Sequence, residues 1–272
     1  MNLTKPIFRR VVFRALLVLA VAVVFNGTAQ AQRGGNGGGG GGGDDGPSYQ
    51  IIPLDISDGV GGRFGSGGAH DINLSRLIVG SVDSAAAYWT VTESDGTFQS
   101  EFHFLDDSSF SMSTAWGCNE WGEVVGDGSM NLLGDGVALY WSNSSADVEE
   151  LPAPFTFGTG ARDINNDGVI CGTSIEGGGV QFEKRAIVWS RVNGQWAYLE
   201  LTPLGDPGVD EEGDPLADDA YAYAISDKDT DTGLITIAGL SNGNAVIWTV
   251  FFGESGALVP GPSMILDPGR AT

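Results

Sequence analysis

The sequence predicts an all-β repeat protein, β-propeller-like, with about four blades of short antiparallel strands. Three observations predict it: a tryptophan motif that recurs four times, a glycine-ended apolar segment before each tryptophan, and no convincing helical period after residue 48. Segments rich in Val, Ile, Tyr and Trp that are broken by Gly, Asn and Asp are typical of strands and hairpins. Four such strands in a unit of 46 residues form the pattern of a propeller blade.

Each unit begins at an alanine and continues to an A-x-x-W motif. The units start at Ala69, Ala115, Ala161 and Ala222, with spacings of 46, 46 and 61 residues. Their shared pattern is A-x-x-I-N-x-x-G-x-V-V-G, then a variable loop, then A-x-x-W. The tryptophans of this last motif are Trp89, Trp141, Trp189 and Trp248. Their fixed place in every unit predicts four equivalent, buried core residues.

An apolar segment follows each tryptophan and completes the unit as a fourth strand. These segments are FHFLD (102–106), VEELP (148–152), YLELTPL (198–204) and SMILDP (263–268), and the similar YQIIPLD (49–55) precedes the first unit. An open stack of sheets leaves a terminal edge with unpaired backbone groups. We therefore expect 49–55 to pair beside the Trp248 strand of the fourth unit and to close the ring.

This unit resembles the HAF-repeat family of exported bacterial proteins, whose repeat is similar to A-x-A-I-N-x-x-G-x-V-V-G followed by H-A-F-x-W. The resemblance covers residues 49–268. The chain is identified as a divergent member, because the His-Ala-Phe triplet is absent and Arg76 stands at the turn glycine of the first unit. The family is defined by its repeat, so the resemblance implies an architecture and export but no reaction.

The N-terminal region predicts export. Residues 1–31 combine four basic residues, the apolar run ALLVLAVAVVF (15–25) and Ala29-Gln30-Ala31, which is the order of a secretory signal peptide. The apolar run is shorter than the roughly 20 residues that span a bilayer, although an uncleaved anchor is the alternative. Residues 32–47 are glycine-rich and predict a disordered linker. The β-repeat domain then occupies 48–272, with an acidic loop at 205–219.

Charge excludes one class of partner. The formal net charge is −22, and removal of the signal peptide, with its four basic residues, would leave −26. A nucleic-acid backbone would be repelled, so nucleic-acid binding is not expected. We expect a secreted, periplasmic or cell-surface protein with no membrane span after removal of the signal peptide.

Two acidic turns bear on metal binding. ARDINNDG (161–168) contains D-x-N-x-D-G, but Ser174 stands where a calcium loop needs its twelfth-position Glu, and the stretch is explained as the Asn-Gly turn of the repeat. SDKDTDTG (226–233) places Asp227, Asp229 and Asp231 at alternate positions, which can wrap a hard cation. Calcium at these three is the one cofactor that the sequence suggests, and a solvated acidic turn is the alternative.

No motif assigns catalytic residues, because the chain lacks a nucleophile elbow, a zinc motif and a phosphate loop. The second position of each unit is the candidate ligand-binding position. It varies among large groups while its neighbours keep their chemistry, and it holds His70, Trp116, Arg162 and Tyr223. In a ring of blades these four would converge near one mouth, where aromatic rings stack on sugars or peptides and Arg pairs with carboxylates. The alternative is that they fill gaps between blades or face solvent.

We therefore expect an exported, non-enzymatic protein for binding or scaffolding at the cell exterior, whose partner is an unidentified extracellular glycan or protein. The alternatives are a carbohydrate-active enzyme of bladed fold and a purely structural surface protein. An enzyme of this type needs two or three carboxylates in one deep pocket, whereas a binder needs a shallow, mainly aromatic and basic mouth. We also expect residues 127–137 and 173–185 to project from one face, and Cys118 and Cys171 to be buried thiols.

Overall fold

A computed structural model describes residues 51–54, 67–107, 109–130, 136–155, 157–178, 181–213 and 216–266. The predicted signal peptide (1–31) and glycine-rich linker (32–47) lie outside these residues. In the described residues the protein is all-β, with four four-stranded antiparallel sheets, which confirms the predicted repeat architecture. This part of the chain contains no helix with the length and apolar character needed to cross a bilayer.

Each sheet is a meander of four consecutive strands and corresponds to one repeat unit. Sheet 1 contains β1 (Gly67–Ile72), β2 (Leu77–Val82), β3 (Ala85–Ser94) and β4 (Thr97–Phe104). Sheet 2 contains β5 (Met112–Cys118), β6 (Val124–Ser129), β7 (Gly136–Trp141) and β8 (Glu149–Glu150). Sheet 3 contains β9 (Gly158–Ile164), β10 (Ile170–Gly178), β11 (Gln181–Val192) and β12 (Gln195–Glu200). Sheet 4 contains β13 (Ala220–Ile225), β14 (Ile235–Ser241), β15 (Asn244–Phe252) and β16 (Leu258–Ile265).

The four sheets pack in chain order and form an open arrangement. Strands of sheet 1 pack on sheet 2, sheet 2 on sheet 3 and sheet 3 on sheet 4, and the described strands of sheet 4 form no comparable contact with sheet 1. The core is correspondingly divided into layers of buried apolar side chains between consecutive sheets. Among the described strands, sheets 1 and 4 therefore each pack on one other sheet.

The prediction that 49–55 joins the fourth sheet is wrong. The place beside the Trp248 strand is taken by β16, in which Ser263 is paired with Trp248. The described end of the segment lies on sheet 1 instead, where Leu54 packs in the cluster of Trp89 and the Ser100 hydroxyl donates a hydrogen bond to the Pro53 carbonyl at 3.2 Å.

A repeated leucine explains this placement. Leu105, Leu151 and Leu201 end the outer segments of sheets 1, 2 and 3, and each is buried in the core layer that leads to the next sheet. Leu54 has the same relation to sheet 1. The segment before the first unit therefore behaves as the end of a preceding outer strand and covers the first sheet.

The four motif tryptophans are buried, with exposed fractions of 1% for Trp89, 0% for Trp141 and Trp189, and 2% for Trp248. Each of the last three also links two sheets through its indole N–H. The acceptors are main-chain carbonyls just after the outer strand of the preceding sheet: Asp106 at 2.7 Å for Trp141, Pro152 at 2.7 Å for Trp189 and Thr202 at 2.8 Å for Trp248. The indole thus contributes both apolar burial and a satisfied polar group.

A ladder of asparagine side chains runs across the turns of consecutive sheets. The Asn73 amide donates to the Asn119 carbonyl at 2.8 Å, Asn119 to the Asn165 carbonyl at 3.1 Å, and Asn165 to the Ser226 carbonyl at 2.8 Å. Ser226 stands where a fourth asparagine would donate onward. The repeat asparagine therefore holds neighbouring sheets together, and the ladder stops at sheet 4.

A second row of contacts follows the same direction, one residue later in each turn. The N–H of Leu74 donates to the Glu120 carboxylate at 3.0 Å, that of Glu120 to Asn166 Oδ1 at 2.9 Å, and that of Asn166 to Asp227 Oδ1 at 2.7 Å. In sheet 1 this position is Leu74, which offers no side-chain acceptor and is 89% exposed. In the later turns, this side chain accepts the N–H of the turn before it. Leu74 cannot accept such a hydrogen bond from an N–H of a preceding segment.

The two cysteines are buried and free, as expected from the sequence. Burial raises the pKa of both thiols well above the usual range. A thiol held in its neutral form is a weak nucleophile, so both behave as small apolar core residues.

The acidic loop 205–219 is anchored at its C-terminal end. Lys184 pairs with Asp219 at 2.8 Å, and the Asp219 N–H donates to Asn242 Oδ1 at 2.9 Å. Its described residues also contain turns closed by hydrogen bonds, such as that from the Leu216 N–H to the Gly208 carbonyl at 3.0 Å. An insertion this acidic is typical of a disordered loop, but these contacts order the residues of the loop that the structure describes.

Arg76 tests the turn alignment. Its φ is +65°, and the turn glycines at the same position of the next two units, Gly122 and Gly168, have φ of +81° and +73°. A left-handed backbone costs a non-glycine residue about 1 kcal/mol. Arg76→Gly should therefore be about 1 kcal/mol more stable to unfolding than Arg76→Ala. Both variants lose the ion pair to Glu93, so their difference in urea denaturation isolates the backbone effect, and equal stabilities would contradict it.

Asp163 makes stability depend on pH. Its carboxylate accepts the N–H of Ile164 and of Ile225, each at 2.8 Å. Burial, opposed by these two bonds, raises its pKa to about 6, against about 3.9 for an exposed aspartate. The folded state therefore binds this proton more tightly than the unfolded state between about pH 4 and pH 6.

It follows that the contribution of Asp163 to stability increases as the pH falls through 6 and is lost as the pH rises through 6. The difference in free energy of unfolding between the wild type and Asp163→Asn should change in favour of the wild type as the pH is lowered across this window. Urea denaturation at several pH values measures it. A difference that stays constant with pH would show that Asp163 titrates alike in both states.

Candidate functional site

The candidate site is built on the same irregularity in the first strand of each sheet, which we call the innermost strand. In β1, β5, β9 and β13 the strand register shifts by one residue, which leaves one residue of each strand out of the pairing. A β-bulge of this kind bends the strand and re-aims its side chain. The residues left out are His70, Trp116, Arg162 and Tyr223, which we call the bulge tetrad.

The glycine that ends each V-V-G segment permits the close approach of the bulged strand. A Cβ on Gly80, Gly126 or Gly239 would lie 1.9 Å from a main-chain oxygen of the innermost strand, and one on Gly172 would lie 2.1 Å from the Gly160 oxygen. No side chain fits at such distances. The glycines of the repeat are therefore required by the same local geometry that presents the tetrad.

All four tetrad residues line one cavity of about 970 Å³. The structure thus brings together, from four different sheets, the four side chains that the sequence singled out. The other lining residues are small or hydroxyl-bearing for the most part, with Asp127 and Tyr221 as the further charged and aromatic groups.

Trp116 is the centre of the polar and aromatic contacts. Its ring centroid lies 4.2 Å from that of His70 at a tilt of 42°, and the Arg162 guanidinium lies 4.4 Å from the ring. Its indole N–H donates to Asp127 Oδ2 at 2.8 Å, and Arg162 pairs with the same oxygen at 3.3 Å. Side chains from sheets 1, 2 and 3 are therefore coupled through one indole and one carboxylate.

Burial controls the protonation of this cluster. Burial and then the Arg162 charge lower the pKa of His70, so that its imidazole is neutral at pH 7. Burial raises the pKa of Asp127, although Arg162 and the Trp116 N–H act in the opposite direction. The Arg162 guanidinium and the Asp127 carboxyl group are in contact at 3.3 Å.

Sheet 4 supplies a separate aromatic pair. The rings of Tyr221 and Tyr223 lie 5.9 Å apart and are nearly parallel, with an interplanar angle of 6°. Tyr223 is 47% exposed, and burial raises the pKa of its hydroxyl, which therefore stays protonated at neutral pH. Tyr223 is thus available to a ligand, whereas the Tyr221 ring contacts Lys184 and the Trp116 ring contacts His70 and Arg162.

Sequence reasoning missed Asp127, although a signal for it exists. The residue after the V-V-G glycine is Ser81, Asp127, Thr173 or Leu240 in the four units. The first three of these line the cavity, and the second unit alone has a carboxylate there. A charged residue at a position that is otherwise neutral could have been read as part of the site.

The segments 127–137 and 173–185 contribute to the cavity wall. Gly128, Ser129 and Gly136 line it from the first segment, and Thr173 and Ile175 from the second. The described part of 173–185 is strand rather than loop, because the pairing of β10 with β11 continues to Gly178 and Gln181. The expectation of a variable loop is therefore wrong for this unit, where a long hairpin is present.

The residues proposed for calcium take part in hydrogen bonds of the turns. Asp227 accepts the N–H and the side-chain amide of Asn166 at 2.7 and 2.8 Å, and Asp229 accepts the N–H of Asp231 and of Thr232 at 3.1 and 2.7 Å. Among the described residues no group of three or more His, Cys, Asp or Glu side chains has an arrangement that could hold a metal ion. Calcium binding by Asp227, Asp229 and Asp231 stays a prediction.

The D-x-N-x-D-G stretch, in contrast, is a turn of the repeat. Asn165 Oδ1 accepts the N–H of Asp167 at 3.1 Å and of Val169 at 2.9 Å.

Comparison with known proteins finds no matching family, no similar curated protein and no similar solved structure for this chain.

Proposed function

We propose that this protein is an exported, non-enzymatic binding protein whose ligand, an extracellular glycan or protein, occupies the cavity of the bulge tetrad. The observation that carries the proposal is the convergence of four different large side chains on one cavity of about 970 Å³. They stand at one repeat position whose backbone geometry is the same in all four sheets. Repetition explains the frame, and the variation at this single position is what a binding site requires.

The chemistry of the cavity supports binding rather than glycoside hydrolysis. A hydrolase of the two-carboxylate type needs a second acid about 5–10 Å from the first. Asp127 is the carboxylate among the described lining residues, and its Oδ2 atom is already engaged by Trp116 and Arg162. A carboxylate fixed by two donors is suited to accept or orient a ligand hydroxyl.

The same proposal includes the architecture and the location. The four sheets are blades of a propeller-like arrangement, because their innermost strands face one cavity and their tryptophans link them in chain order. The similarity of the repeat to the HAF-repeat family and the predicted signal peptide both favour export. A binding site at the cell exterior then has access to surface glycans and proteins.

A library screen tests the function. The full chain is expressed with its signal peptide, and the exported protein is applied to arrays of glycans and of proteins. Trp116→Ala and Arg162→Ala should each reduce binding to the retained ligand at least tenfold, because each removes a group that lines the cavity.

Matched controls are available in the same chain. Trp121 is 72% exposed and Arg191 lies on β11, the third strand of sheet 3, and neither lines the cavity. Trp121→Ala and Arg191→Ala should leave binding unchanged. Binding that is lost equally in the controls, or that persists in both tetrad variants, would place the ligand elsewhere.

A further inference from the structure

We infer that the ligand of this cavity is a neutral, hydroxyl-rich oligosaccharide that stacks on Tyr223 of sheet 4 and places a hydroxyl group on Asp127 Oδ1. This inference rests on the proposed function, since it names the class of ligand for the same site. Three properties of the cavity carry it: balanced charge, a lining of hydroxyl groups, and one accessible aromatic face.

The charge of the lining argues against an ionic ligand. Asp127 and Arg162 are the carboxylate and the guanidinium among the described lining residues, and they neutralise each other at 3.3 Å. His70 is neutral at pH 7 because burial lowers its pKa. A chain of net charge −22 also repels an approaching anion. A uronic acid or a sulfated sugar therefore finds neither a free cation nor a favourable long-range field.

The hydrogen-bonding groups match sugar hydroxyls. Hydroxyl side chains both donate and accept hydrogen bonds, as sugar hydroxyls do. The described lining contains seven serines and threonines, of which Ser113, Ser129 and Thr159 are buried. The four that are at least partly exposed are Ser81, Ser84, Thr114 and Thr173. Asp127 adds a strong acceptor, because Trp116 and Arg162 both contact Oδ2, while Oδ1 has no hydrogen bond to the described residues.

The aromatic face has the position that a sugar ring requires. Tyr223 is 47% exposed, and its ring is nearly parallel to that of Tyr221. The C–H face of a pyranose packs against such a ring, and the phenol hydroxyl remains available at its edge. An apolar peptide side chain would instead need a deep apolar pocket, and Met112 and Ile175 are the aliphatic or thioether side chains of the described lining.

The test compares neutral and charged probes of the same size. The exported full chain is assayed by calorimetry against β-linked tetrasaccharides of glucose, mannose, xylose and galactose, and against tetragalacturonate. Binding of the same protein to a random peptide library on beads is measured separately. We expect binding to at least one neutral tetrasaccharide, at least tenfold weaker binding to its uronate counterpart where one is available, and little change in affinity between 50 and 500 mM NaCl.

Variants separate the stacking contribution from the hydroxyl. Tyr223→Ala should weaken binding of the neutral tetrasaccharide at least tenfold, and Tyr223→Phe less than threefold. The control is Tyr198→Ala, because Tyr198 is 44% exposed, lies on β12 and does not line the cavity. A Tyr198 variant that weakens binding as much as the Tyr223 variant overturns the inference.

Failure of this inference differs from failure of the proposed function. Binding of tetragalacturonate or of peptides alone, with loss on Trp116→Ala, overturns the neutral-glycan inference and retains the site. Absence of any binding that depends on Trp116 or Arg162, in this panel and in the arrays, overturns both.

Discussion

Replacement of Trp189 by alanine should lower the free energy of unfolding by about 3–5 kcal/mol. The side chain is fully buried in the layer between sheets 2 and 3, where it packs with Ile170 and Ile187. Its removal leaves a cavity between two sheets and deprives the Pro152 carbonyl of its donor at 2.7 Å. Both effects act on the contact that holds consecutive sheets together.

Denaturant unfolding of the wild type, Trp189→Ala and Trp189→Phe measures this effect. The phenylalanine variant keeps most of the apolar volume and loses the hydrogen bond, so its stability should lie between the other two. The control Trp121→Ala removes an indole that is 72% exposed and should cost less than about 1 kcal/mol. A cost below 1 kcal/mol for Trp189→Ala would falsify the role of the motif tryptophan as a core anchor.

Gly172→Ala should destabilise the protein by about 3 kcal/mol or more. A Cβ at this position would lie 2.1 Å from the Gly160 oxygen and 3.0 Å from Ala161 Cα. Because both neighbours are main-chain atoms, β9 must move away from β10. That movement displaces the bulge that presents Arg162, so ligand binding should fall together with stability.

Gly158→Ala is the matched control in the same pair of strands. Its Cβ would meet Ile175 Cδ1 at 3.5 Å, which is an ordinary contact, and the substitution should change the free energy of unfolding by less than about 1 kcal/mol. Denaturant titration followed by circular dichroism compares the free energies of unfolding of Gly172→Ala and Gly158→Ala. Equal effects of the two substitutions would show that close approach is not the reason for the repeat glycine.

The repeat made most of the fold predictable, because spacing reports on structure even when sequence identity is low. The A-x-x-W motif marked the third strand of every sheet, and variation at one position marked the tetrad. Arg76 could be recognised as a turn residue since its neighbours in the alignment are glycines, and the structure gives it the φ of +65° that such a turn requires.

The place of the segment before the first unit could not be predicted from the same pattern. YQIIPLD (49–55) resembles every outer segment, and a repeat pattern does not say which sheet such a segment covers. The packing of Leu54 with Trp89 is a contact between residues distant in the sequence, which the repeat pattern does not report. The place of Asp127 in the site was not predicted for a related reason, because its partners Trp116 and Arg162 come from two different strands of the stack.

The open stack has a thermodynamic consequence. Because the packed strands lie within a sheet or between consecutive sheets, the molecule is a one-dimensional array whose cooperativity comes from nearest-neighbour coupling. Among the described strands, sheet 4 packs on sheet 3 alone, and Leu240 and Met264 on it are 39% and 57% exposed. Local opening should therefore start there, and amide exchange should be faster in β13–β16 than in sheets 2 and 3. A ligand that contacts Tyr223 binds only the closed form of sheet 4, so it should slow amide exchange in β13–β16.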